Sequence, residues 1–351
     1  MQTNKASAAP QPAGSHQKDE DAGEPRRCGT GGKDPSDRES PRRGLGIDLR
    51  REIVEDPMVS VLATVYNKGK YIRETLESVV RQSYRNWELL VVDDKSTDNS
   101  REEIGKVHDE RIRPIWKGHN CGLPSVLRNE LGRMAQGKYI AFLDGDDLWL
   151  PEKLAKQVAY MERHPEYPFS HVACMVVDDQ GRDLYLRNWG NYPPDGDCFL
   201  ELMKKCFICT SAVMVQKEFF LAIGGFSEDP ALRTNAEDTE FFLRCAKNNG
   251  MGMPGKEVLV KYRWIDTSLS HHPHHWKPGL DLLARHDLWE GKMTRDEVRA
   301  LVWQNHDERG YLHRSRHNWA AVRWYGAKML GLYPWRLKGL THLLAGVLHR
   351  P

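Results

Sequence analysis

The sequence predicts an α/β fold, in which a mostly parallel central sheet is flanked by helices and followed by a helical C-terminal extension. Short apolar segments alternate with longer amphipathic segments between residues 58 and 161, and this alternation is typical of parallel strands with helices on both faces. Acidic residues directly follow two of the apolar segments, at the sheet edge where α/β proteins bind ligands. Beyond residue 311 the chain is basic and rich in aromatic residues, which favours helices outside the sheet.

Each of the first four predicted strands is followed by a predicted helix. The strands are Val59–Ala63, Trp87–Val92, Arg111–Trp116 and Tyr139–Leu143. Three of the helices are predicted from apolar residues at helical spacing: Ile72, Leu76, Val79 and Val80; Leu123, Val126, Leu127, Leu131 and Met134; and, in a helix starting at Pro151, Leu154, Val158 and Met161. The helix after the second strand is predicted from its capping residues Ser96, Thr97 and Asp98.

The alternation loosens after about Phe169, where further strands and one more helix are predicted. The strands are Val172–Val177, Ser211–Val215 and Val258–Tyr262. The helix spans Ala236–Asn248 and stops before Gly250, a residue type that favours helix C-termini. Cys206 and Cys209 form a C-x-x-C motif, but without a second pair this motif indicates a buried strand rather than a zinc site.

Three regions are predicted along the chain. Residues 1–56 are rich in Gly, Pro, Ser and mixed charge. They cannot bury enough apolar surface to offset chain entropy, so they are predicted to be disordered. The α/β domain is predicted over residues 57–268, and a basic helical extension rich in Trp and His over residues 269–351.

The composition excludes several classes of protein. The formal net charge is only +2 over 351 residues, so no nucleic-acid partner is predicted. The seven cysteines are scattered without a disulfide-like framework, which fits a reducing compartment. Neither a run of 18 apolar residues nor an apolar N-terminal segment occurs, so no membrane-spanning helix and no secretory signal is predicted. A cytoplasmic protein is expected.

The most informative motif is Asp144-Gly145-Asp146-Asp147, which follows the apolar strand 139–143. Carboxylates this close repel one another unless a cation or a strong donor lies among them. Oxygen ligands favour Mg²⁺ or Mn²⁺, and these ions usually also hold substrate phosphates. The alternative is an acidic turn that starts a helix, since Pro151 follows and Asp caps helices well.

A second acidic pair, Asp93-Asp94, ends the second strand, and parallel strands would bring both acidic sites to the same sheet edge. One site can hydrogen-bond a base or ribose while the other holds a cation on a diphosphate. Neither the G-x-G-x-x-G motif of dinucleotide-binding proteins nor a P-loop occurs. The sequence therefore predicts a nucleotide that is bound through carboxylates and a cation.

Several different short motifs follow one another between residues 58 and 265. They are Ser60–Asn67, Val91–Asp98, Asn120–Leu123 with Arg128-Asn129, Gly137–Asp147, Gly224-Gly225-Phe226, and Glu237-Asp238 before Phe241–Arg244. This series resembles family 2 glycosyltransferases of the GT-A fold, and the ordered set is far more specific than any one motif. The resemblance implies a GT-A domain over 57–268 that transfers a sugar from a nucleoside-diphosphate sugar, with UDP as the expected nucleotide.

The resemblance also implies which residues bind the nucleotide sugar. Thr64 and Tyr66 match residues that contact the base, with Tyr66 available for stacking, and Asp94 matches the carboxylate that recognises the base. Arg128 matches a position near the diphosphate, and Asp144 matches one near the ribose and the metal. Without the other motifs, Thr64 would be a strand-end residue and Tyr66 an aromatic residue of a loop.

A D-x-D metal motif and a catalytic base follow from the same resemblance. Asp144 and Asp146 match the metal motif and imply Mn²⁺ or Mg²⁺ as cofactor, with Asp146 as the direct ligand and Asp147 as an alternative ligand. Asp238 matches the catalytic base, which takes the proton from an acceptor hydroxyl during an inverting transfer. Apart from the resemblance, Glu237 and Asp238 are also the kind of residue that a helix N-terminus favours.

The acceptor is expected to be a glycan or a lipid-linked molecule in cell-surface polysaccharide or glycolipid synthesis. Residues 311–351 contain seven Lys or Arg and no Asp or Glu, interleaved with aromatic and aliphatic residues. Such a segment can lie on the anionic cytoplasmic face of a membrane, or it can pack on the catalytic domain as a helical subdomain.

The segment before this extension carries further candidate residues. His271, His272, His274 and His275 cluster around Pro273. Because Pro273 breaks regular spacing, an exposed loop is expected there, with metal binding as the alternative. Ser268 and Ser270 are candidates for the lining of the acceptor pocket.

Two other functions are consistent with parts of this pattern. A sugar nucleotidyltransferase would also need a metal, but such enzymes typically carry a Gly-rich loop with Lys or Arg after the first strand, and Tyr66–Lys70 is a poor substitute. The other alternative is a non-catalytic carbohydrate- or membrane-binding protein on a GT-A scaffold. The presence of Asp94, Asp144, Asp146 and Asp238 together argues against it.

Overall fold

The computed structural model describes residues 57–187, 195–204, 206–232, 237–265, 289–315, 319–332 and 337–348. The predictions for the 1–56 segment, for Ser268 and Ser270, and for the histidine cluster at 271–275 lie outside the described residues.

Strands and helices alternate through the first half of the described chain, as the sequence predicts. The strands are β1 Val59–Val65, β2 Trp87–Asp93, β3 Ile112–Trp116, β4 Tyr139–Asp144, β5 Leu148–Trp149, β6 Phe169–His171, β7 Ala173–Val177, β8 Asp183–Leu186, β9 Val213–Gln216, β10 Met251–Gly252 and β11 Val258–Arg263. The helices are α1 Ile72–Val80, α2 Ser100–Gly105, α3 Pro124–Met134, α4 Lys153–Arg163, α5 Phe199–Lys204, α6 Lys217–Ala222, α7 Glu237–Lys247, α8 Arg295–Ser315, α9 Trp319–Leu332 and α10 Leu337–Leu348.

The central sheet of the described residues has the strand order β10-β6-β9-β4-β1-β2-β3. β4, β1, β2 and β3 are parallel, while β9 runs antiparallel to both of its neighbours. The predicted mostly parallel sheet is therefore confirmed. A second, smaller sheet of the described residues has the strand order β5-β11-β7-β8.

Both faces of the strands β1, β2 and β4 are buried, which explains why these strands are mostly apolar, whereas the edge strand β3 is partly exposed. On β1, Leu62 belongs to the core under α3, α6 and α7, whereas Val61 and Ala63 belong to the core under α1 and α4. The helix faces predicted from spacing are mostly buried, but Met134 is exposed. It lies in the last turn of α3.

The C-terminal residues form helices, as predicted. α9 packs against both α8 and α10, and Val298 and Val302 of α8 join the hydrophobic core of the sheet domain. Among the described residues, no helix has the length and apolar character needed to cross a bilayer.

A cluster of four aromatic rings packs against β4, the strand that carries the acidic motif. The ring of Phe220 lies 5.8 Å from that of Phe142, 6.1 Å from that of Phe226 and 5.7 Å from that of Phe241, between centroids. These rings connect β4 to α6, to the loop after α6 and to α7. The cluster therefore fixes α7 relative to the strand that carries the acidic motif.

Replacing Phe220 with Ala is expected to lower the free energy of unfolding by about 3–5 kcal/mol, because it removes a buried aromatic ring and leaves a cavity. Chemical denaturation measures this change. The control is Leu221→Ala, since Leu221 is the next residue and is 43% exposed, so a loss of about 0.5 kcal/mol or less is expected. Equal losses for the two variants would contradict the proposed packing role.

Candidate active site

The parallel strands bring the predicted site residues to one sheet edge. In register, Thr64 of β1 lies between Val92 of β2 and Asp144 of β4. The backbone oxygen of Thr64 also accepts a hydrogen bond from the amide of Gly145, at 3.2 Å. Thr64 is thus next to the acidic motif, and Asp94, one residue beyond β2, lies at the same edge.

Asp94 organises the loop that closes this edge. Its side chain is buried, and its two oxygens accept hydrogen bonds from the backbone amides of Cys121 and Gly122, at 2.9 and 3.1 Å. The side chain of Asn120 donates to the backbone oxygen of Asp94, at 2.9 Å. Because each carboxylate oxygen has two lone pairs, Asp94 can hold this loop and still accept a further hydrogen bond.

Tyr66 directly follows β1 and exposes 47% of its surface. The next residue, Asn67, has a φ of 52° and turns the chain sharply, since the left-handed region suits Asn better than most residues. The side-chain oxygen of Asn67 accepts a hydrogen bond from the amide of Thr97, at 2.8 Å. The exposed ring of Tyr66 therefore projects from a loop with a fixed backbone.

Arg128 is the point at which separate parts of the chain meet. It lies on α3 and is 5% exposed, and its Nη2 donates to Oδ1 of Asp144, at 2.7 Å. Its Nη1 lies 3.9 Å from Oε1 of Glu237. Burial lowers the pKa of Arg128, but the carboxylates of Asp144, Glu237 and Asp238 outweigh burial and hold this pKa above its usual value.

The acidic pair Glu237-Asp238 begins α7. Burial and the neighbouring Asp238 carboxylate raise the pKa of Glu237 to about 7, against the opposing effect of Arg128. Burial also raises the pKa of Asp238, although Arg128 and Arg187 oppose it. Oδ1 of Asp238 accepts a hydrogen bond from the amide of Thr239, at 2.6 Å. Both carboxyl groups therefore hold a proton more tightly than free side chains do.

The side chains of Asp146 and Asp147 in the acidic motif have different partners. Asp147 is fully buried. Its Oδ1 accepts a hydrogen bond from the backbone amide of Arg263, at 2.9 Å, and its Oδ2 accepts one from the hydroxyl of Ser211, at 2.5 Å. The Ser211 hydroxyl in turn accepts the amide of Asp144, at 3.0 Å. Asp147 is inaccessible to solvent and holds the end of β11 and the turn at 210–212, so it suits the alternative role of cation ligand less well than Asp146. Asp146 instead forms an ion pair with Lys68, whose Nζ lies 2.6 Å from Oδ2.

Three of these residues were not predicted as site residues. Ser211 was predicted in a strand, but residues 210–212 form a short 3₁₀ turn before β9. This turn brings the Ser211 hydroxyl into hydrogen-bond contact with the acidic motif. Arg263 ends β11 and donates from Nε to the backbone oxygen of Asp146, at 2.9 Å. Lys68 follows the predicted Tyr66-Asn67 segment, but its pairing with Asp146 joins residues 78 positions apart, and no local pattern signals such a contact.

The chemistry of the site fits a divalent cation that the substrate helps to bind. Asp146 is paired with an ammonium group, so a positive charge already balances this carboxylate. Among the described residues, no three His, Cys, Asp or Glu side chains gather into a metal site of their own. Mg²⁺ and similar ions are often held by one or two carboxylates together with substrate phosphates, and Asp146 with Asp144 can provide these carboxylates.

Comparison with known proteins identifies the family. The model of the family "Glycosyl transferase family 2" matches residues 60–222. The chain is 33% identical over 217 residues to the putative teichuronic acid biosynthesis glycosyltransferase TuaG of Bacillus subtilis, covering 61% of this chain and 82% of that protein. The chain belongs to glycosyltransferase family 2. Family membership favours sugar transfer over the nucleotidyltransferase and non-catalytic alternatives.

A further relative belongs with this family, and solved structures share the fold. The chain is 32% identical over 210 residues to the putative glycosyltransferase EpsE of Bacillus subtilis, covering 59% of this chain and 73% of that protein. The structure of S. aureus TarS with UDP-GlcNAc matches with a TM-score of 0.60 at 16% identity, over 82% of this chain and 89% of that one. Pyrobaculum calidifontis PcManGT with GDP-Man and Mn²⁺ matches with a TM-score of 0.52 at 18% identity, over 84% and 87%. These similarities confirm the predicted GT-A fold of this glycosyltransferase.

Replacing Glu237 with Gln is expected to remove a pH-dependent loss of stability. The pKa of Glu237 is raised in the folded protein to about 7. This group therefore contributes stability below its unfolded pKa, and the contribution disappears as the pH rises through about 7. The free energy of unfolding should thus shift in favour of Glu237→Gln, relative to wild type, between about pH 4.5 and 7.

Denaturation at a series of pH values tests this expectation. The control is Glu218→Gln, because Glu218 is exposed on α6, and its difference from wild type should stay flat over the same range. A flat difference for Glu237→Gln as well would show that the Glu237 carboxyl group is not held in its protonated form.

Proposed function

We propose that this glycosyltransferase moves a sugar from a nucleoside-diphosphate sugar to an acceptor hydroxyl with inversion. The observation that supports this proposal best is the position of Arg128 between Asp144 and Glu237. One buried guanidinium thereby connects the end of β4, expected to bind the donor, to the start of α7, expected to act on the acceptor. A site that handles both substrates needs these two parts side by side.

The donor is proposed to bind across the ends of β1, β2 and β4. Tyr66 stacks on the base, Asp94 accepts a hydrogen bond from it, and Thr64 contacts it from the strand between. Asp144 and Arg128 lie toward the ribose and diphosphate. UDP is the proposed nucleotide, in line with the structures of S. aureus TarS, which hold UDP-GlcNAc or UDP.

Asp146, together with Asp144, is proposed to hold Mn²⁺ or Mg²⁺. PcManGT, which has a similar fold, binds GDP-Man with Mn²⁺. When bound, such an ion supplies Lewis-acid stabilisation of the charge that develops on the departing diphosphate. The protein contributes the carboxylates and keeps them in place through Arg263, Ser211 and Arg128.

Asp238 is proposed to be the catalytic base. It takes the proton from the acceptor hydroxyl as that oxygen attacks the anomeric carbon from the face opposite the diphosphate. A single displacement needs no covalent sugar intermediate, so one base is enough and the configuration inverts. Its raised pKa makes Asp238 a better proton acceptor than an ordinary, exposed Asp.

Replacing Asp238 with Asn is expected to lower the rate of sugar transfer by at least about 100-fold, because the amide cannot accept the proton. The affinity for the nucleotide sugar, measured by calorimetry in the presence of Mn²⁺, should remain within a few-fold of wild type. The control is Asp296→Asn, since Asp296 is an exposed acidic residue in the first turn of α8, and this change should leave the transfer rate unaltered. Near-normal transfer by Asp238→Asn would rule out the assignment.

The acceptor is proposed to be a lipid-linked or cell-surface glycan. Escherichia coli WfaP, 32% identical over 160 residues that cover 46% of this chain and 61% of that protein, is named for glucosyl transfer to GlcNAc-diphosphoundecaprenol. TuaG is named for teichuronic acid biosynthesis. We place the catalytic domain at residues 57–268 and the helical extension at 269–351, and propose that this extension brings the enzyme to the cytoplasmic face of the membrane.

One face of α10 supports this membrane role. Leu340, Leu344 and Val347 expose 39%, 48% and 43% of their surface. Their spacing of four and three residues places them on one side of the helix, while Gly339 and His342 are buried on the other. An exposed apolar stripe in a segment without acidic residues suits the interface of an anionic bilayer.

Changing Leu340, Leu344 and Val347 together to Gln is expected to weaken binding to vesicles that contain phosphatidylglycerol by at least about tenfold, because three apolar side chains no longer enter the bilayer. Co-sedimentation measures this binding. The control changes Leu184, Leu186 and Leu221 to Gln, since these are also exposed apolar residues but lie outside the extension. Equal binding by both triple variants would show that the α10 stripe does not contact lipid.

A further inference from the structure

The ion pair between Lys68 and Asp146 occupies the carboxylate that is proposed to hold the divalent cation. Lys68 Nζ lies 2.6 Å from Oδ2 of Asp146, and the two side chains are only 18% and 10% exposed. An ion pair shielded from water to this extent is stronger than a surface pair. A divalent cation must therefore compete with Lys68 for Asp146.

The backbone of Lys68 is fixed, so this pairing is built into the fold. Its amide donates to the hydroxyl of Ser100, at 2.8 Å, and its carbonyl accepts the amides of Tyr71 and Ile72, both at 2.8 Å. Its stem passes close to Gly145, because a Cβ at that glycine would lie 3.4 Å from Cγ of Lys68. Only the ammonium end of the side chain is free to change partners.

Displacing Lys68 from Asp146 leaves an ammonium group in a mostly buried place. A buried charge without a partner is costly, so a cation alone binds at a disadvantage. The diphosphate of a donor brings negative charge to the same sheet edge, and the released ammonium can pair with it. Lys68 lies in the loop after β1, next to the residues proposed to hold the nucleotide, and its flexible side chain lets the ammonium move while the backbone stays in place.

We propose that Lys68 competes with the divalent cation for Asp146 and moves to the diphosphate when the donor binds. This inference rests on the proposed function. It makes cation binding and donor binding cooperative: the cation binds weakly to the free enzyme and more tightly once the nucleotide offers Lys68 a new partner.

Lys70 provides a matched control for Lys68. It lies two residues away on the same loop and also pairs with an aspartate, with Nζ 2.8 Å from Oδ2 of Asp179. Both members of that pair are well exposed, at 57% and 46%. Removing the Lys70 charge changes the net charge of the loop by the same amount but leaves Asp146 and its partner unaltered.

The test measures Mn²⁺ binding to the full chain without nucleotide. The electron paramagnetic resonance signal of free Mn²⁺ reports how much of the ion is bound. Lys68→Met keeps the length of the side chain and removes its charge, so Mn²⁺ should bind about tenfold more tightly than to wild type. Lys70→Met should bind within about twofold of wild type. Lys68→Arg keeps the charge and should bind Mn²⁺ as weakly as wild type.

A second series adds UDP, with the Mn²⁺–UDP complex in solution taken into account. UDP should tighten Mn²⁺ binding to wild type and to Lys70→Met by about tenfold, and to Lys68→Met by much less. Thermal unfolding confirms that each variant is folded. If Lys68→Met unfolds, the comparison passes to Lys68→Gln, for which the same shifts are expected.

The outcomes separate this inference from the proposed function. Mn²⁺ binding to folded Lys68→Met that is no tighter than to wild type would overturn the competition, even if UDP binds normally. Failure of UDP to bind any of the proteins, with the Mn²⁺ shift present, would support the competition but count against UDP as the donor nucleotide. Absence of Mn²⁺ binding by all of the proteins would overturn both the competition and the cation site.

Discussion

The position of Arg128 between Asp144 and Glu237 constrains the rest of the site. A guanidinium keeps its charge even when it is buried, and a buried charge must be paired. Its partners come from the end of β4 and the start of α7. If α7 moved away, Arg128 would lose part of the negative charge that surrounds it, and a buried charge without compensation is costly. The charge requirement therefore fixes α7, and with it Asp238, relative to the sheet.

Packing next to Arg128 makes this arrangement rigid. Asn129, the following residue on α3, accepts a hydrogen bond from the amide of Phe226 and donates one to its carbonyl, both at 2.8 Å. Gly225 has a φ of 66° and a Cβ there would lie 2.3 Å from Oδ1 of Asn129, so only glycine fits. Arg244 of α7 donates to the carbonyl of Gly225, at 2.6 Å. The Gly224-Gly225-Phe226 motif thus ties α3 to α7.

The sequence predicted the sheet and the location of the site because both depend on local patterns. Continuous apolar strands such as Val59–Val65 and amphipathic helices such as α1 and α4 are determined by the spacing of residues. Parallel strands then bring Asp94 and Asp144 to one edge without any knowledge of side-chain contacts. The roles of the individual site residues came from the family resemblance and stay predictions.

Contacts between distant side chains could not be predicted in this way. The pairing of Lys68 with Asp146 and the hydrogen bond from Arg263 to the same residue span 78 and 117 positions. They depend on side-chain rotamers and on how the chain folds, which residue spacing does not show. The contact of Ser211, in the turn at 210–212, with Asp147 is another of this kind. Met134 follows the helical spacing of its neighbours but is exposed, because the spacing of residues alone does not determine burial at the end of a helix.

Each carboxylate of the acidic motif has its own partner or partners, and this explains how three carboxylates stay close together. Asp144 pairs with Arg128, Asp146 with Lys68, and Asp147 with Ser211 and a backbone amide. The partners differ in freedom. The Arg128 side chain is 6% exposed and reaches toward Glu237 as well, whereas the Lys68 ammonium ends a flexible four-carbon stem. Asp146 therefore has the one partner of the three that can leave without disturbing the fold, which makes it the carboxylate best suited to receive a cation.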